Sequence, residues 1–322
     1  MEAHSLYQIL SSCTNFVLSS KRKLSTLPFI PRSVRLFYLL ILLVNVRSTP
    51  LSWHARTFRP MLHILIKDAF YKFAPSEVKN SYTRSLCPIG RSPFELSEGY
   101  KTWASPDECD CFIHLSNSSY SKLADMILFK FAMRYLTNVF REGCHFVVVS
   151  SHLQFIKEIP LGQKYEMQLH LETWDSKSLY IVTRYITRRN PTGIRPGEDA
   201  ETVISSEKDE GGPSNEVLHA VLMTECFVRA AGRSTVPPAL VLAGSGCGIG
   251  EEEWNSLMVS LKDGPSLAQL VYGKWRDVPQ KQRWWDSALE KYEEERLRRW
   301  KDLSATTRLP HAVRSRTAKP RL

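Results

Sequence analysis

The sequence lacks an apolar run long enough to cross a bilayer. Its longest uncharged apolar run, LFYLLILLVNV at residues 36–46, has eleven residues, whereas a spanning helix needs about 20. A cleaved signal peptide is not expected, because this run lies well inside the chain and RSTPLSWHAR, not small residues, follows it. Three interpretations stay open: an interfacial helix continued by residues 53–66, an organellar presequence, or a buried helix.

Acidic residues are almost absent from both ends of the chain. Residues 1–67 hold nine Lys and Arg against the single acid Glu2, and the last nineteen residues hold five basic residues and no acid. Basic ends of this kind suit an anionic membrane surface or a targeting role. Nucleic-acid binding is the rival interpretation, but no zinc finger or other nucleic-acid motif accompanies the charge, so no nucleic-acid partner is predicted.

The charge and the apolar run together predict that residues 1–75 form a basic, apolar arm that associates with a membrane surface. The endoplasmic reticulum is the favoured compartment, and the mitochondrion is the alternative. The seven cysteines have no repeating spacing, which argues against a fold held together by disulfides. They favour a reducing compartment.

From residue 98 onward, the chain alternates between strand-like and helix-like patterns. Residues 117–136 predict a helix, because Tyr120, Leu123, Ile127, Phe131 and Tyr135 recur at spacings of three and four. Strands are predicted at 99–105, 145–157, 165–174, 178–189 and 217–231, and WDSKS is the turn of a hairpin. This order predicts an α+β fold, with an antiparallel sheet wrapped around one long central helix.

The remaining segments complete the predicted organisation. The domain is expected at 76–243, interrupted by an acidic, disordered insertion at 191–215. Residues 244–303 are expected to form a linker and a charged C-terminal helix, the helix spanning 280–303. GSGCGIG at 244–250 is interpreted as flexible linker and not as a dinucleotide-binding loop, since no βαβ unit surrounds it. Residues 304–322 are expected to be a basic, disordered tail.

The stretch DECDCFIHLSNSSYSKLAD, residues 107–125, crowds acids, cysteines and a histidine ahead of the predicted helix. A metal site would use Cys109, Asp110, Cys111 and His114, but Cys-x-Cys is a poor chelating pair and no second pair follows. A nucleophilic cysteine would need a base that the sequence does not assign. A polar loop with a helix cap is the third alternative.

The same stretch resembles the signature of hot-dog-fold acyl-thioesterases. Asp110 lies four residues before His114, Ser116 and Asn117 occupy the positions of an Asn pair, and Tyr120 closes the motif. The likeness is closest to the branch of thioesterase superfamily member 6, fungal type, in which an Asp follows at the position of Asp125 and a Trp-Asp turn joins two strands, as Trp174 and Asp175 do here. The resemblance covers residues 50–232.

The resemblance implies a single hot-dog domain that pairs into a homodimer, with sites for an acyl thioester such as acyl-CoA at the subunit interface. Asp110 would attack the thioester carbonyl or activate a water. His114, Ser116, Asn117 and Tyr120 would form the substrate-binding and oxyanion region, where helix N–H groups polarise the carbonyl. No metal and no redox cofactor is implied.

Two positions depart from the pattern of catalytic relatives. Ile113 stands where a Gly often precedes the His, and Ser116 replaces the first Asn of the pair. Two hypotheses therefore stay open: a membrane-associated acyl-CoA thioesterase-like enzyme, and a non-catalytic hot-dog protein that binds acyl-CoA or lipid or serves as a dimeric scaffold.

Overall fold

The structure is a computed structural model, and it describes residues 31–188, 216–230 and 234–306. The predicted insertion at 191–215 and most of the predicted tail, 307–322, lie outside the described residues. The chain divides into two compact units, residues 1–53 and 54–322, and each is described by itself.

The first unit contains helix α1, Arg32–Val44, which is followed by a short 3₁₀ helix, Val46–Ser48. The helix begins after Pro31 and ends at Asn45, whose side-chain amide donates to the carbonyl of Ile41 at 2.9 Å. Every residue of α1 is exposed. Within the described ranges, no helix has both the length and the hydropathy needed to cross a membrane.

The second unit begins within helix α2, Ser52–Tyr71, and continues with helix α3, Ser76–Ser85. They are joined by stacked rings of Tyr71 and Tyr82, whose centroids lie 4.2 Å apart. The carboxylate of Asp68 on α2 pairs with the guanidinium of Arg141. Only Thr57 of α2 is buried, so this helix leaves most of its surface uncovered.

The centre of the second unit is an antiparallel sheet with one long helix. Its elements are β1 Ser97–Trp103, α4 Asn117–Tyr135, α5 Thr137–Arg141, β2 His145–Phe155, β3 Lys164–Trp174, β4 Ser178–Arg188, β5 Glu216–Arg229 and β6 Thr235–Val236. The strand order is β1-β3-β4-β5-β2, and β6 pairs with the end of β5 beyond β4. The predicted α+β class, with helices and an antiparallel sheet, is confirmed.

The hairpin predicted at WDSKS joins β3 to β4. Its turn is held by Asp175, whose Oδ1 accepts the backbone N–H groups of Lys177 and Ser178, both at 2.7 Å. An aspartate suits this position, because its short side chain can satisfy backbone donors that a tight turn leaves unpaired. The turn therefore helps to fix the register of β3 against β4.

The core lies between α4 and the sheet. The alternation of β3 buries its apolar residues, and the apolar positions of α4 are buried on most sides. Each fully buried large side chain contributes about 1.5–3 kcal/mol. The buried members of α4 and β3 are Tyr120, Leu123, Ile127, Phe131, Tyr135, Tyr165, Met167, Leu169 and Leu171.

One charged side chain also lies within the sheet. Glu225 on β5 is 3% exposed, and its two carboxylate oxygens accept hydrogen bonds from a serine on each neighbouring strand. The hydroxyl of Ser178 on β4 donates at 2.8 Å, and that of Ser150 on β2 donates at 3.0 Å. These donors reduce the cost of removing the carboxylate from water.

The segment after β6 differs from the predicted flexible linker. Helix α6, Pro238–Gly244, leads into residues 245–249, which are buried. Gly248 donates its N–H to Arg91 at 2.9 Å, and Ile249 accepts the N–H of Gly90 at 2.8 Å. The flexible-linker interpretation is wrong because the glycines here allow close backbone approach: a Cβ on Gly248 would lie 2.8 Å from the carbonyl oxygen of Ala288.

The predicted helix at 280–303 is also broken in the structure. The C-terminal region contains α7 Glu251–Asp263, α8 Leu267–Val271, α9 Trp284–Leu289 and α10 Glu293–Thr306, with 3₁₀ turns at 274–276, 280–282 and 290–292. The two last helices dock on different elements: α9 packs against α6, and α10 lies on β3 and β4 through Arg296 and Trp300. Helix α10 continues to Thr306, so the predicted tail boundary at 304 lies inside a helix.

Substituting Ala for Gly248 is expected to lower the free energy of unfolding by roughly 2–5 kcal/mol, measured by urea unfolding. Gly248 has φ +77°, and a Cβ would collide with backbone. Gly162→Ala is the matched control, since Gly162 has φ +80° with nothing within 4 Å of its Cβ position. It is expected to lose only about 1–2 kcal/mol. Equal losses would contradict the close contact.

Candidate functional site

The candidate site is built on a short loop ahead of α4. A 3₁₀ turn at Pro106–Glu108 precedes it, and an isolated bridge between Cys109 and Leu115 closes it; residues 109–115 are called the Asp110 loop below. The N–H of Asp110 donates to the carbonyl of His114 at 3.0 Å. Asp110 Oδ1 accepts the N–H of Phe112 at 2.9 Å. The predicted polar loop is therefore a tight turn that an aspartate side chain holds together.

The left-handed backbone of Ile113 completes this turn. Its φ is +65°, a conformation that costs an L-residue about 1–2 kcal/mol and suits a β-branched side chain least. The side chain is 64% exposed, so burial does little to offset the strain. Backbone strain of this kind is concentrated at functional sites.

The Asp110 loop is fastened to the segment between β2 and β3. Leu115 donates its N–H to Ile159 at 2.8 Å, and Leu161 donates to the carbonyl of Ile113 at 3.0 Å. Sequence reasoning missed both this segment and the residue that holds it, His219. The buried imidazole of His219 lies 2.9 Å from the Glu158 carbonyl oxygen through Nδ1 and 2.9 Å from Thr187 Oγ1 through Nε2.

Burial lowers the pKa of His219, against smaller opposing contributions from its bonds to the backbone of Glu158 and Lys157. The imidazole is therefore neutral at neutral pH, and its two hydrogen bonds hold the segment between β2 and β3 against β4. In the sequence, His219 appears only as a single His within an apolar strand. Such a residue is ordinarily a core histidine whose hydrogen bonds are satisfied, so the sequence did not mark it as part of the site.

Two predicted site residues, Asp110 and His114, come together in the structure. His114 Nδ1 lies 3.3 Å from Asp110 Oδ2, and His114 Nε2 lies 3.5 Å from Glu158 Oε1. The ring of Phe112 stacks on the imidazole with centroids 5.9 Å apart. Both His114 and Asp110 are partly exposed. An imidazole between two carboxylates can hold or pass on a proton, which is what acid–base chemistry needs.

Ser116 and Asn117 lie where α4 begins. Ser116 has the backbone angles of an N-cap, but its side chain makes no capping bond to the helix. Its Oγ instead lies 3.0 Å from that of Ser118 and 3.1 Å from that of Ser119. The first N–H groups of a helix have no acceptor within it and carry the positive end of its dipole. The N–H of Ser119 donates to the carbonyl of Ser116 at 2.9 Å, so the N–H groups of Asn117 and Ser118 are the ones suited to a carbonyl oxygen that develops negative charge.

Tyr120 is a packing residue in this structure. Its ring is 2% exposed and meets Tyr185 and Phe155 edge to face, at centroid distances of 4.9 Å and 5.2 Å. Its backbone carbonyl accepts the hydroxyl of Tyr185 at 2.7 Å. Burial, with smaller contributions from the charges of Glu158 and Cys109, raises the pKa of Tyr120 to about 12. The hydroxyl therefore stays protonated at neutral pH.

The cysteine and metal alternatives gain no support from the geometry. Burial and the neighbouring carboxylates of Asp110, Glu108 and Asp107 raise the pKa of Cys109, which keeps this thiol protonated and weakly nucleophilic. Among residues 31–188, 216–230 and 234–306, no group of three or more His, Cys, Asp or Glu side chains could hold a metal ion.

A small cavity of about 170 Å³ lies between α4 and the sheet. Apolar side chains from both sides line it, namely Ala124, Leu128, Val148, Leu169, Ile181 and Leu222, with Asp125, Ser151, Thr183 and Thr224 among its polar lining. Its apolar surroundings partly remove the carboxylate of Asp125 from water and raise its pKa. Asp125 is the carboxylate that the sequence motif places five residues after Tyr120.

Ile113→Gly is expected to raise the free energy of unfolding by about 0.5–1 kcal/mol, because glycine adopts a positive φ without strain. Phe112→Gly is the control: its side chain is also exposed, but its backbone is not left-handed, so a loss of about 0.5–1 kcal/mol is expected. Urea unfolding of both variants measures the difference. A loss at both positions would show that Ile113 is not strained.

Comparison with known proteins gives one family match. The family model described as the thioesterase-like superfamily matches residues 104–239. A probable thioesterase from Saccharomyces cerevisiae is 24% identical over 151 residues, which cover 46% of this chain and 63% of the relative. The chain thus spans less than two thirds of that relative's length.

Two solved structures are also similar to the chain. An acyl-CoA hydrolase from Staphylococcus aureus is 13% identical, with coverage of 45% of this chain and 73% of the other and a TM-score of 0.33. A 1,4-dihydroxy-2-naphthoyl-CoA thioesterase from Synechocystis is 11% identical, with coverage of 47% and 96% and a TM-score of 0.33.

The matched residues 104–239 include the Asp110 loop, α4 and the strands β2 to β5. They therefore contain the long helix, every strand of the sheet except β1, and the residues of the Asp110 motif. On this match, residues 104–239 of the chain are similar to the thioesterase-like superfamily.

Proposed function

We propose that this protein hydrolyses acyl thioesters, with acyl-CoA as the substrate class and Asp110 as base or nucleophile. The observation that carries the proposal is the position of the Asp110–His114 pair, directly ahead of a helix N-terminus that no side chain caps. Thioester hydrolysis needs both parts: a group that attacks or activates water, and donors for the oxyanion.

The reaction follows from this placement. The thioester carbonyl binds with its oxygen toward the first N–H groups of α4, near Ser116 and Asn117. Asp110 either takes a proton from a water that adds to the carbonyl carbon, or adds to that carbon itself and is then released by water. The C–S bond breaks, and the products are a carboxylic acid and a thiol. His114 lies beside Asp110 and is placed to hold or pass on the proton.

The domain is proposed to be a single hot-dog fold in which α4 is the central helix. The burial of α4 on most sides and the strand order β1-β3-β4-β5-β2 support this assignment. The cavity between α4 and the sheet is then a space for the acyl group, because apolar side chains from both make up half of its twelve lining residues.

A homodimer is the proposed assembly. Within the described residues, β2 pairs with β5 along one side, and its other side has no strand partner. This edge carries exposed apolar side chains, including Val148, Val149 and Phe155. Long apolar edges of this kind pair readily with another strand. A second copy pairing along β2 would cover the edge and bring the two cavities close, since Val148 and Ser151 of β2 also line the cavity.

Membrane association through the N-terminal arm is the remaining part of the proposal. All residues of α1 are exposed although most are apolar. Helix α2 and the turn after it expose an apolar stripe at spacings of three and four, at Phe58, Met61, Leu62, Leu65, Ile66, Phe70 and Phe73. Basic side chains accompany the stripe at Arg59, Lys67 and Lys72. Such faces suit an anionic lipid surface. The endoplasmic reticulum, with the mitochondrion as alternative, stays the predicted compartment.

A non-catalytic protein that binds acyl-CoA or lipid, or serves as a dimeric scaffold, is the second candidate. Ile113 favours it, since its exposed side chain stands at the turn where catalytic relatives often have Gly. So does the engagement of Asp110, because one carboxylate oxygen already holds the turn and the other faces His114.

Turnover of an acyl-CoA panel from acetyl to palmitoyl decides between the two candidates. The wild type is expected to hydrolyse part of the panel, and Asp110→Asn is expected to lose about 10²–10⁴-fold in kcat. Asparagine keeps the oxygen that accepts the Phe112 N–H, so the turn is preserved while the charge is lost. Asp175→Asn is the matched control, because Asp175 holds an equivalent turn in the β3–β4 hairpin.

Binding of the same acyl-CoAs and light scattering are measured on each preparation. Hydrolysis that Asp110→Asn leaves intact would exclude Asp110 as base or nucleophile. Acyl-CoA binding without turnover by the wild type would establish the second candidate. A monomer at micromolar concentration would contradict the homodimer.

The membrane proposal predicts that the full chain sediments with anionic vesicles and less with zwitterionic ones. Replacing Phe70 and Phe73 by Ser is expected to lower the partition coefficient about 10²-fold, since each buried Phe contributes about 1.5–3 kcal/mol. Phe112→Ser is the control, because Phe112 is 76% exposed and Phe70 is 77% exposed. Equal effects of the α2 and Phe112 variants would contradict the role of the stripe.

A further inference from the structure

Helix α2, which precedes the matched family region, reaches the base of the Asp110 loop through one side chain. Arg56 Nη1 donates to Glu108 Oε1 at 3.2 Å. The Glu108 side chain is fully buried, and that of Arg56 is 20% exposed. Burying a carboxylate is costly without donors that compensate it, and Arg56 supplies such a donor to Glu108.

Glu108 in turn connects the two parts of the site. Its backbone carbonyl accepts the N–H of Ser116 at 3.0 Å and the hydroxyl of Ser119 at 2.7 Å. Those two donors belong to the N-cap and the first turn of α4. The Asp110 loop starts at the residue after Glu108 and ends at Leu115, the residue before Ser116. Glu108 is therefore connected to both ends of the loop.

The electrostatics of Arg56 agree with a permanent bond. Burial on its own would lower the pKa of Arg56, but hydrogen bonds and charge interactions with Tyr100 and Glu108 raise it above its ordinary value. The guanidinium is therefore charged at neutral pH. Tyr100 lies on β1, so Arg56 also connects α2 to the edge of the sheet.

We infer that Arg56 is a positioning residue for the site: its bond to the buried Glu108 holds the Asp110 loop in register with the N-terminus of α4. The inference rests on the proposed hydrolysis, in which the distance between Asp110 and the helix donors decides turnover. By this inference, helix α2, which lies ahead of the matched residues 104–239, positions the site in addition to belonging to the N-terminal region.

A second bond of the same helix supplies a matched control. Asp68, twelve residues further along α2, pairs with Arg141 on α5, which lies at the far end of α4 from the Asp110 loop. Removing Arg56 or Arg141 takes away one bond between α2 and the rest of the second unit, but only the loss of Arg56 removes a bond to Glu108. The two substitutions thus separate docking of the helix from positioning of the loop.

The experiment compares Arg56→Met, Arg56→Lys, Arg141→Met and the double variant Arg56→Met with Glu108→Gln, all in the full chain. Measured quantities are kcat and KM for the best acyl-CoA, the thermal midpoint, and hydrogen exchange of the amides of residues 109–116. Arg56→Met is expected to lower kcat on the order of 10²-fold, as a displacement of about 1 Å does, with KM changed less than about threefold. Arg56→Lys is expected to restore part of kcat.

The double variant protects the test against simple unfolding. It leaves no unpaired buried charge, so its thermal midpoint is expected to recover while kcat stays low and exchange at 109–116 stays fast. Arg141→Met is expected to lower the thermal midpoint without changing kcat or exchange in the loop.

Two results would overturn the inference: kcat that follows the thermal midpoint equally in the Arg56 and Arg141 variants, or unchanged exchange at 109–116 in Arg56→Met. Failure of the proposed function looks different. If the wild type hydrolyses no acyl-CoA, or if Asp110→Asn keeps full turnover, hydrolysis by Asp110 is excluded. Hydrogen exchange then still decides whether Arg56 holds the loop.

Discussion

The packing of α4 against the sheet is the constraint on which the rest of the structure depends. The helix is apolar on most sides, so it can be stable only where protein surrounds it. Strands β3, β4 and β5 supply that cover, and burial of their apolar residues fixes where α4 begins. The start of α4 then determines where the Asp110 loop must end, because Leu115 and Ser116 bond to Ile159 and Glu108 at that point. The site is thus a consequence of the core.

Much of this core could be predicted from the sequence because it depends on local periodicity. The spacing of three and four between apolar residues of α4 and the alternation of apolar and polar residues in β3 are visible in the sequence. Asp175 likewise marks the hairpin turn. The interpretation of 244–250 and 280–303 was wrong for the opposite reason. Glycine composition does not reveal that Gly248 lies against Ala288, and charge spacing does not reveal that α9 and α10 dock on different elements.

The candidate site also has residues that could be predicted from the sequence and residues that could not. Asp110 and His114 could be predicted as a pair because they lie four residues apart, and one turn brings their side chains together. Glu158, His219 and Arg56 could not, because they reach the loop from elements 44 to 105 residues away along the chain or from outside the domain. The strained backbone of Ile113 was equally invisible, since an isoleucine gives no sign of a positive φ. Long-range contacts position a site whose chemistry is local.

The buried Glu225 has a consequence for how the strands find one another. Sliding β5 by two residues along β4 would keep every apolar side chain on its own face, so hydrophobic alternation alone does not distinguish the native pairing from the slipped one. In the slipped pairing the carboxylate would lose the hydroxyl of Ser178, and by the same displacement against β2 that of Ser150. It would then be buried without the donors of these two serines, which raises the cost of keeping the carboxylate out of water. Two serines and one glutamate thereby select a single alignment of three strands.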